Sequence, residues 1–344
     1  MNSYQKKNII YSLVLVSLVA LVWLYRNYVA SPDENSTSGQ VMISGQTMGT
    51  VYNIKYLDEE GRTFKSEVDS LLEVFNQSLN HYLPASEITR FNQSDTLYFD
   101  LPYFYPVLES SQRVVDATGG AFDPTVAPLV NAWGFGPEGG ELPDSLAVDS
   151  LLNLVGFDNI AFSQEWVAKT QPSVQLNFSA IAKGYGVDVV TEYLEAQGIQ
   201  NMMVEIGGEV ACRGVNAQGE IWRIGIDDPV NRGNMSAAIS INDRAIATSG
   251  DYRNFYERDG KRYSHTIDPK TGYPVQHTVL SVSVIADNCM TADAYATAFM
   301  VLGLDKSLEV LEQQTDLEAY IIFDDNGEAK TYQTNGVEDN LLDL

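Results

Sequence analysis

The sequence predicts an α+β fold: one body of mixed or antiparallel sheets with flanking helices, preceded by a single N-terminal hydrophobic helix. Three observations predict it. Helical and strand-like apolar spacings are interspersed without the regular strand–helix–strand rhythm of a parallel sheet. The composition is that of a packed protein, 44% hydrophobic, 10% aromatic and 19% charged, which excludes disorder as the default. A chain of 344 residues buries a sizeable core, and no fixed-period repeat or low-complexity tract divides it.

The first element is the apolar run 9–25 (IIYSLVLVSLVALVWLY), with Lys6 and Lys7 before it and Arg26 after it. Its 17 residues make about 26 Å of helix at 1.5 Å per residue, near the lower limit for crossing a bilayer. Basic residues precede the run and Asp33 and Glu34 follow it, so the body is expected to be exported. Residues 1–30 therefore read as a membrane anchor, with a cleaved signal peptide as the rival, since Tyr28-Val29-Ala30 is a poor cleavage site. The polar stretch 31–40 (SPDENSTSGQ) reads as a linker, 41–335 as the body and 336–344 as an acidic tail.

Within the body the spacing predicts a strand over 51–56 and a helix over 64–79, where Val68, Leu71, Leu72 and Phe75 share one face. A helix over 104–118 follows, then a strand-like 174–178 and a helix over 180–197 capped by Ser179. Strands are expected at 202–206, 222–226, 237–241 and 279–286. A hairpin is expected to turn at Asp259-Gly260, with 263–267 on its second strand. Helices over 291–302 and 306–314 precede a last strand at 319–323. Cys212 and Cys289, the only cysteines, either pair or pack as small apolar residues.

The net charge of −25, from 46 acidic against 21 basic residues, excludes nucleic acid as a partner and disfavours anionic lipid. Any anionic ligand must be met by a local device, such as a bound cation or aimed backbone amides. Two histidines never lie at metal-ligand spacing and no Ser-His-Asp order stands out, which argues against zinc sites and triad hydrolases. Gly134, Gly136 and Gly139 fit a dinucleotide fingerprint only by spacing: no strand precedes them and Pro137 interrupts them.

Four segments carry candidate chemistry. In TGGAFDPTVAPLVNAWGFGP (118–137), small residues, Phe122 and Asp123 suit a flat ligand, although turn chemistry explains the same pattern. In LNFSAIAKGYGV (176–187), a helix start with Lys183 one turn in suits a pyrophosphate or is an ordinary solvated helix end. In CMTADAYATA (289–298), Asp293 and Thr297 at i, i+4 offer two oxygens on one helical face, as Mg2+ requires; a dipole-favoured acid beside a core threonine reads equally well. In 245–275, His265 is either a proton acceptor or a half-buried strand histidine.

Taken together these segments resemble the ApbE-type FAD:protein FMN transferases. The resemblance rests on Met48-Gly49-Thr50 with Tyr52, Ser86-Glu87-Ile88 to Phe91-Asn92, GAFDPTVAPLV with WGFGP, IAKGYGVD, VEIGGE, ATSGDYRNFYE with YSHTIDPKTGYPV, and TADAYATA, in the family's order from Thr47 to about Gly303. It implies a flavin site of Met48, Tyr82, Ala121, Phe122, Asp123, Asn177, Lys183 and Ile267. It implies side-chain Mg2+ ligands at Asp293 and Thr297, a backbone ligand at Ala180, and His265 as the catalytic histidine. Asn177 departs from the family's usual Asp and brings no charge, and Ser179 and Ala180 replace glycines.

The resemblance further implies transfer of FMN from FAD to a Ser or Thr hydroxyl of an acceptor, with Mg2+ as cofactor and AMP released. Implied acceptors are subunits of sodium-pumping NADH:quinone reductase and Rnf-type complexes, met by a body on the periplasmic side of a bacterial inner membrane. An FAD pyrophosphatase and a non-catalytic periplasmic flavin-binding protein are the alternatives.

Overall fold

The computed structural model describes residues 39–136, 142–231, 233–250, 255–258 and 261–342. Two strands, β1 (Gln40–Thr47) and β2 (Thr50–Leu57), lead into helices α1 (Lys65–Leu79) and α2 (Glu87–Asn92). β3 (Thr96–Tyr98), α3 (Phe104–Thr118), α4 (Ala127–Ala132) and α5 (Ser145–Leu152) follow, then β4 (Ile160–Phe162) and β5 (Trp166–Lys169). α6 (Ala182–Ala196) precedes β6 (Met202–Ile206), β7 (Glu209–Arg213), β8 (Trp222–Asp227), β9 (Met235–Ile241) and β10 (Ala245–Gly250). A hairpin of β11 (Phe255–Arg258) and β12 (Lys261–Ser264) leads to β13 (Val279–Ala286) and α7 (Cys289–Leu311). β14 (Glu318–Asp325), β15 (Glu328–Gln333), α8 (Asn335–Glu338) and β16 (Leu341–Leu342) close the chain.

The frame is an eight-stranded sheet in the order β1-β2-β6-β7-β10-β13-β14-β15, and every ladder in it is antiparallel. Alternation along each strand divides the core between its two faces. Ala247, Val284 and Ile321 pack with α3 and α7 on one face, while Ile246, Ile285 and Ile322 meet β8 and β9 on the other. Cys212 and Cys289 are buried as free thiols in separate clusters on these opposite faces, so they pack and do not pair.

Helix α3 and strand β13 fall where the apolar spacing puts them, and α7 breaks at Gly303 (φ 74°), between the two helices expected there. Other expectations are corrected. The stretch 174–178 is extended but joins no ladder. At its centre the Asn92 side chain takes both backbone groups of Leu176, Nδ2 donating to the carbonyl (2.9 Å) and Oδ1 accepting from the amide (2.8 Å), and next to it the Asn177 amide donates to the Pro124 carbonyl (2.8 Å). Ser179 does not cap α6, which starts two residues beyond Ala180 with Ile181 at the N-cap; the Ser179 amide donates to Asn177 Oδ1 at 2.8 Å.

His265 lies one residue past β12, not on it, because Ile267 leaves to bridge Pro274 in a loop of its own. In that loop Val275 donates to the Thr266 carbonyl (3.0 Å) and Asp268 to the Tyr273 carbonyl (2.9 Å). The closing residues are not a free tail: Val337 is buried, and Leu341–Leu342 pair with β9. The hairpin turn at 259–260 and the apolar run 9–25 lie outside the described residues. Among the described residues, no helix is long and apolar enough to cross a membrane.

The Asn92 clamp yields a test. Asn92→Ala leaves the amide and carbonyl of buried Leu176 without partners, and is expected to lower stability by about 1–3 kcal/mol in urea unfolding monitored by tryptophan fluorescence.

Candidate active site

The β1–β2 hairpin turns on two residues, Met48 (φ 48°) and Gly49 (φ 74°), both left-handed as a type I′ turn requires. A side chain at such a φ is uncommon, and here it directs Met48 onto α6, where its Cε would lie 2.6 Å from a Cβ placed on Gly186. A second two-residue turn, Gly207 (φ 66°) and Gly208 (φ 108°), joins β6 to β7. A Cβ on Gly207 would stand 3.3 Å from Lys183 Cδ, so the bare turn makes room for the lysine stem.

That lysine reaches across the turn to Glu209, the first residue of β7, and forms an ion pair with Glu209 Oε1. The Glu209 side chain is only 3% exposed, whereas Lys183 keeps 31% of its side-chain surface open. Glu209 Oε2 is buried with no hydrogen-bond partner. Helices α6 and α7 meet at Gly184, whose amide donates to Asp293 Oδ2 at 3.0 Å. A Cβ there would sit 2.2 Å from the Cys289 carbonyl oxygen and 2.8 Å from Asp293 Cβ, so only glycine permits this approach. Burial pushes the Lys183 ammonium down, but Asp293 and Glu209 outweigh it and hold the group above the ordinary lysine range. Burial and Asp293 push the Glu209 carboxyl up, against the pull of Lys183.

These groups open onto one cavity of about 1000 Å3. Its wall contains every residue that the sequence nominated: Met48, Tyr82, Ala121, Phe122, Asp123, Asn177, Ala180, Lys183, His265, Ile267, Asp293 and Thr297. Tyr82 stands exposed against the His81 ring, with centroids 4.2 Å apart. Asp123 is buried; Thr125 donates to its Oδ1 through the amide (2.8 Å) and the hydroxyl (2.6 Å). Burial raises the Asp123 carboxyl, with these bonds opposing. Asn177 Oδ1 is occupied by the Ser179 amide, which leaves its side-chain N–H groups as the donors for a ligand. Trp133 Nε1 donates to the Gly272 carbonyl at 2.7 Å and so ties the WGFGP segment to the loop carrying His265 and Ile267.

Asp293, Thr297 and the Ala180 backbone supply hard oxygen donors. Thr297 Oγ1 lies 3.1 Å from Ser249 Oγ, which orients it from β10. Among the described residues no group of three or more acidic, cysteine or histidine side chains forms a metal cage. A sparse donor set of this kind fits Mg2+, which retains waters and takes substrate phosphate oxygens. Two carboxylates, Asp293 and Glu209, face one ammonium, and that local excess of negative charge also suits a cation. Glu209 has no role among the candidates that the sequence offers; an acid directly after the Gly-Gly hairpin turn of VEIGGE is the signal that marks it.

The ApbE family model matches residues 48–321. The chain belongs to the ApbE family. A curated FAD:protein FMN transferase of Vibrio cholerae is 44% identical over 299 residues, covering 84% of this chain and 89% of that protein. Among solved structures, the flavin transferase ApbE from Vibrio cholerae aligns with a TM-score of 0.81 at 39% identity, covering 88% of this chain and 99% of its own. The apo form of Pseudomonas stutzeri flavinyl transferase ApbE aligns at 0.80 and 32% identity, over 88% and 96%. This ApbE-family chain thus shares its α+β architecture with transferases of known structure.

The helix crossing makes the site testable. Gly184→Ala is expected to force α6 and α7 apart, destabilise the chain by about 1–3 kcal/mol, and weaken Mg2+ binding measured by titration calorimetry on the folded variant. Retention of Mg2+ affinity in a folded Gly184→Ala protein would detach the metal assignment from this crossing.

Proposed function

We propose that this chain takes FAD as substrate and transfers its FMN half to a Ser or Thr hydroxyl of an acceptor protein, releasing AMP. The observation that carries the reading is one cavity bordered by Lys183, His265, Asp293 and Thr297, in an ApbE-family chain whose curated relatives are FAD:protein FMN transferases. The flavin half of FAD is assigned to Met48, Tyr82, Ala121, Phe122, Asp123, Asn177 and Ile267. The diphosphate is assigned to Lys183 and the neighbouring start of α6, which turns ammonium and backbone N–H groups toward anions.

Asp293, Thr297 and the Ala180 carbonyl would hold Mg2+, which when bound supplies neutralisation of the phosphate charge. In the transfer, a bond forms between the acceptor oxygen and the FMN phosphorus while the bond from that phosphorus to the bridging oxygen breaks. The bridging oxygen leaves with AMP, and the hydroxyl proton passes to a base. His265, on the cavity wall beside Phe135 (ring centroids 6.4 Å apart), is the residue we assign to that proton. Glu209 acts one step back by holding Lys183.

We further assign the body to the periplasmic face of the inner membrane, on the basis of the basic-then-apolar pattern of residues 6–25. The acceptors we infer are subunits of sodium-pumping NADH:quinone reductase or Rnf-type complexes.

Incubation with FAD, Mg2+ and a soluble domain of such an acceptor should leave fluorescent flavin on the acceptor band of a denaturing gel. Free FMN and AMP with an unlabelled acceptor would instead make the protein an FAD pyrophosphatase. Asp293→Ala is expected to lower transfer by about two orders of magnitude or more with the fold intact by circular dichroism. His265→Ala should lower kcat by about a hundred-fold or more while FAD affinity changes little; equal losses in both would reduce His265 to a binding residue.

A further inference from the structure

Of the three charged groups that meet at the cavity wall, only one sits on a flexible stem. Glu209 opens β7, which is paired with β6 on one side and β10 on the other, and its side chain is 3% exposed. Asp293 belongs to α7, whose first turn is fixed by Asn288 and Asp188. Lys183 carries a point charge on four rotatable carbons. The choice of which carboxylate to neutralise therefore belongs to the lysine.

The charges of both carboxylates act on the ammonium, yet among the described residues its ion pair is with Glu209 alone. The path of the stem explains that choice. A Cβ on Gly207 would stand 3.3 Å from Lys183 Cδ and 2.8 Å from Thr50 Cγ2, so the bare turn is a notch through which the stem crosses to β7. The one described hydrogen bond to the Asp293 carboxylate is taken by Oδ2, from the Gly184 amide, and Oδ1 keeps its lone pairs. An ammonium seated on that carboxylate would cancel the charge that a divalent cation requires there. Glu209 Oε2, by contrast, is buried without a hydrogen-bond partner. An idle buried carboxylate oxygen costs stability, so its retention calls for a reason.

We propose that Glu209 is a positioning residue that keeps Lys183 off Asp293, so that Asp293 is left for a divalent cation while the ammonium stays on the wall for the diphosphate. This rests on the Mg2+ assignment made above. Without Glu209 the stem swings to the one carboxylate that remains, and a cation must then displace the lysine in order to bind. The Gly207-Gly208 turn and Glu209 form one device: the turn clears the path of the stem, and the acid ends it. The same charge on the same lysine thus either serves the site or blocks it, according to the partner that holds it.

The test titrates Mg2+ alone into the full-length protein by calorimetry, without FAD or acceptor, with circular dichroism checking the fold of each variant. Glu209→Gln should weaken Mg2+ binding about ten-fold or more. Glu209→Gln combined with Lys183→Met removes the holder and the competitor together, and should restore most of the lost affinity. Lys183→Met by itself should bind Mg2+ at least as tightly as the unaltered protein, and it carries the test if Glu209→Gln does not fold. Unchanged affinity in Glu209→Gln overturns the proposal. So does equal loss in the single and double variants, the result expected of a glutamate that serves only the fold or touches the cation itself. Weaker binding in Lys183→Met overturns it as well. Absence of Mg2+ binding by the unaltered protein overturns the metal assignment together with the proposal, whereas flavin transfer is judged separately by fluorescence on the acceptor band.

Discussion

The contact between α6 and α7 at Gly184 governs the rest of the molecule. There the backbone of one helix donates directly to a carboxylate of the other, at a separation that no Cβ tolerates. Lys183 and Asp293 are brought together by that approach, and β7 adds Glu209 from across the Gly-Gly turn. The result is two buried carboxylates facing one partly exposed ammonium, with one carboxylate oxygen left without a protein partner. Buried charge is tolerated only when compensated. A site left with surplus negative charge and spare oxygen lone pairs is suited to a cation and, through it, to a phosphate-bearing substrate.

The crossing is itself held by α6. Asp188, one turn beyond Gly184, accepts from the amides of Cys289 and Met290 at 2.7 Å each, so the first turn of α7 is capped by a side chain of its neighbour. Asn288 adds the local cap, accepting from the Thr291 amide at 2.9 Å. Burial pushes the Asp188 carboxyl up to about 7, against the pull of those two amide bonds. Helix α7 is thereby fixed in rotation as well as position, and Asp293 and Thr297, one turn apart, both reach the cavity.

The antiparallel frame serves the site through its turns. Met48-Gly49 and Gly207-Gly208 are both tight two-residue connections, and one carries a side chain on the cavity wall while the other clears a path for Lys183. A turn whose backbone is held in the left-handed region by flanking ladders places its residue more firmly than a long loop does. The loops that complete the cavity are tied to each other by contacts between residues far apart in sequence, such as Trp133 Nε1 to the Gly272 carbonyl and the Trp133 ring to that of Tyr273.

Much of this was legible in the chain. Apolar spacing located α1, α3, β13 and the break in α7, because a helix or strand that buries one face must repeat at its own period. The ordered motifs, in their register, nominated the cavity residues from Met48 to Thr297. The same periodicity misled at 174–178, whose partner is a side chain 84 residues away. It placed His265 on a strand that ends one residue earlier, and it left the final strand unread because Leu341 and Leu342 are too short a run to show any period. Glu209 passed without a role since an acid's burial depends on what packs over it. Local pattern was therefore enough to determine which elements form, whereas hydrogen-bond partners, burial and the meeting of charges were decided only in the tertiary structure, where residues far apart in sequence compete for the same donors and the same space.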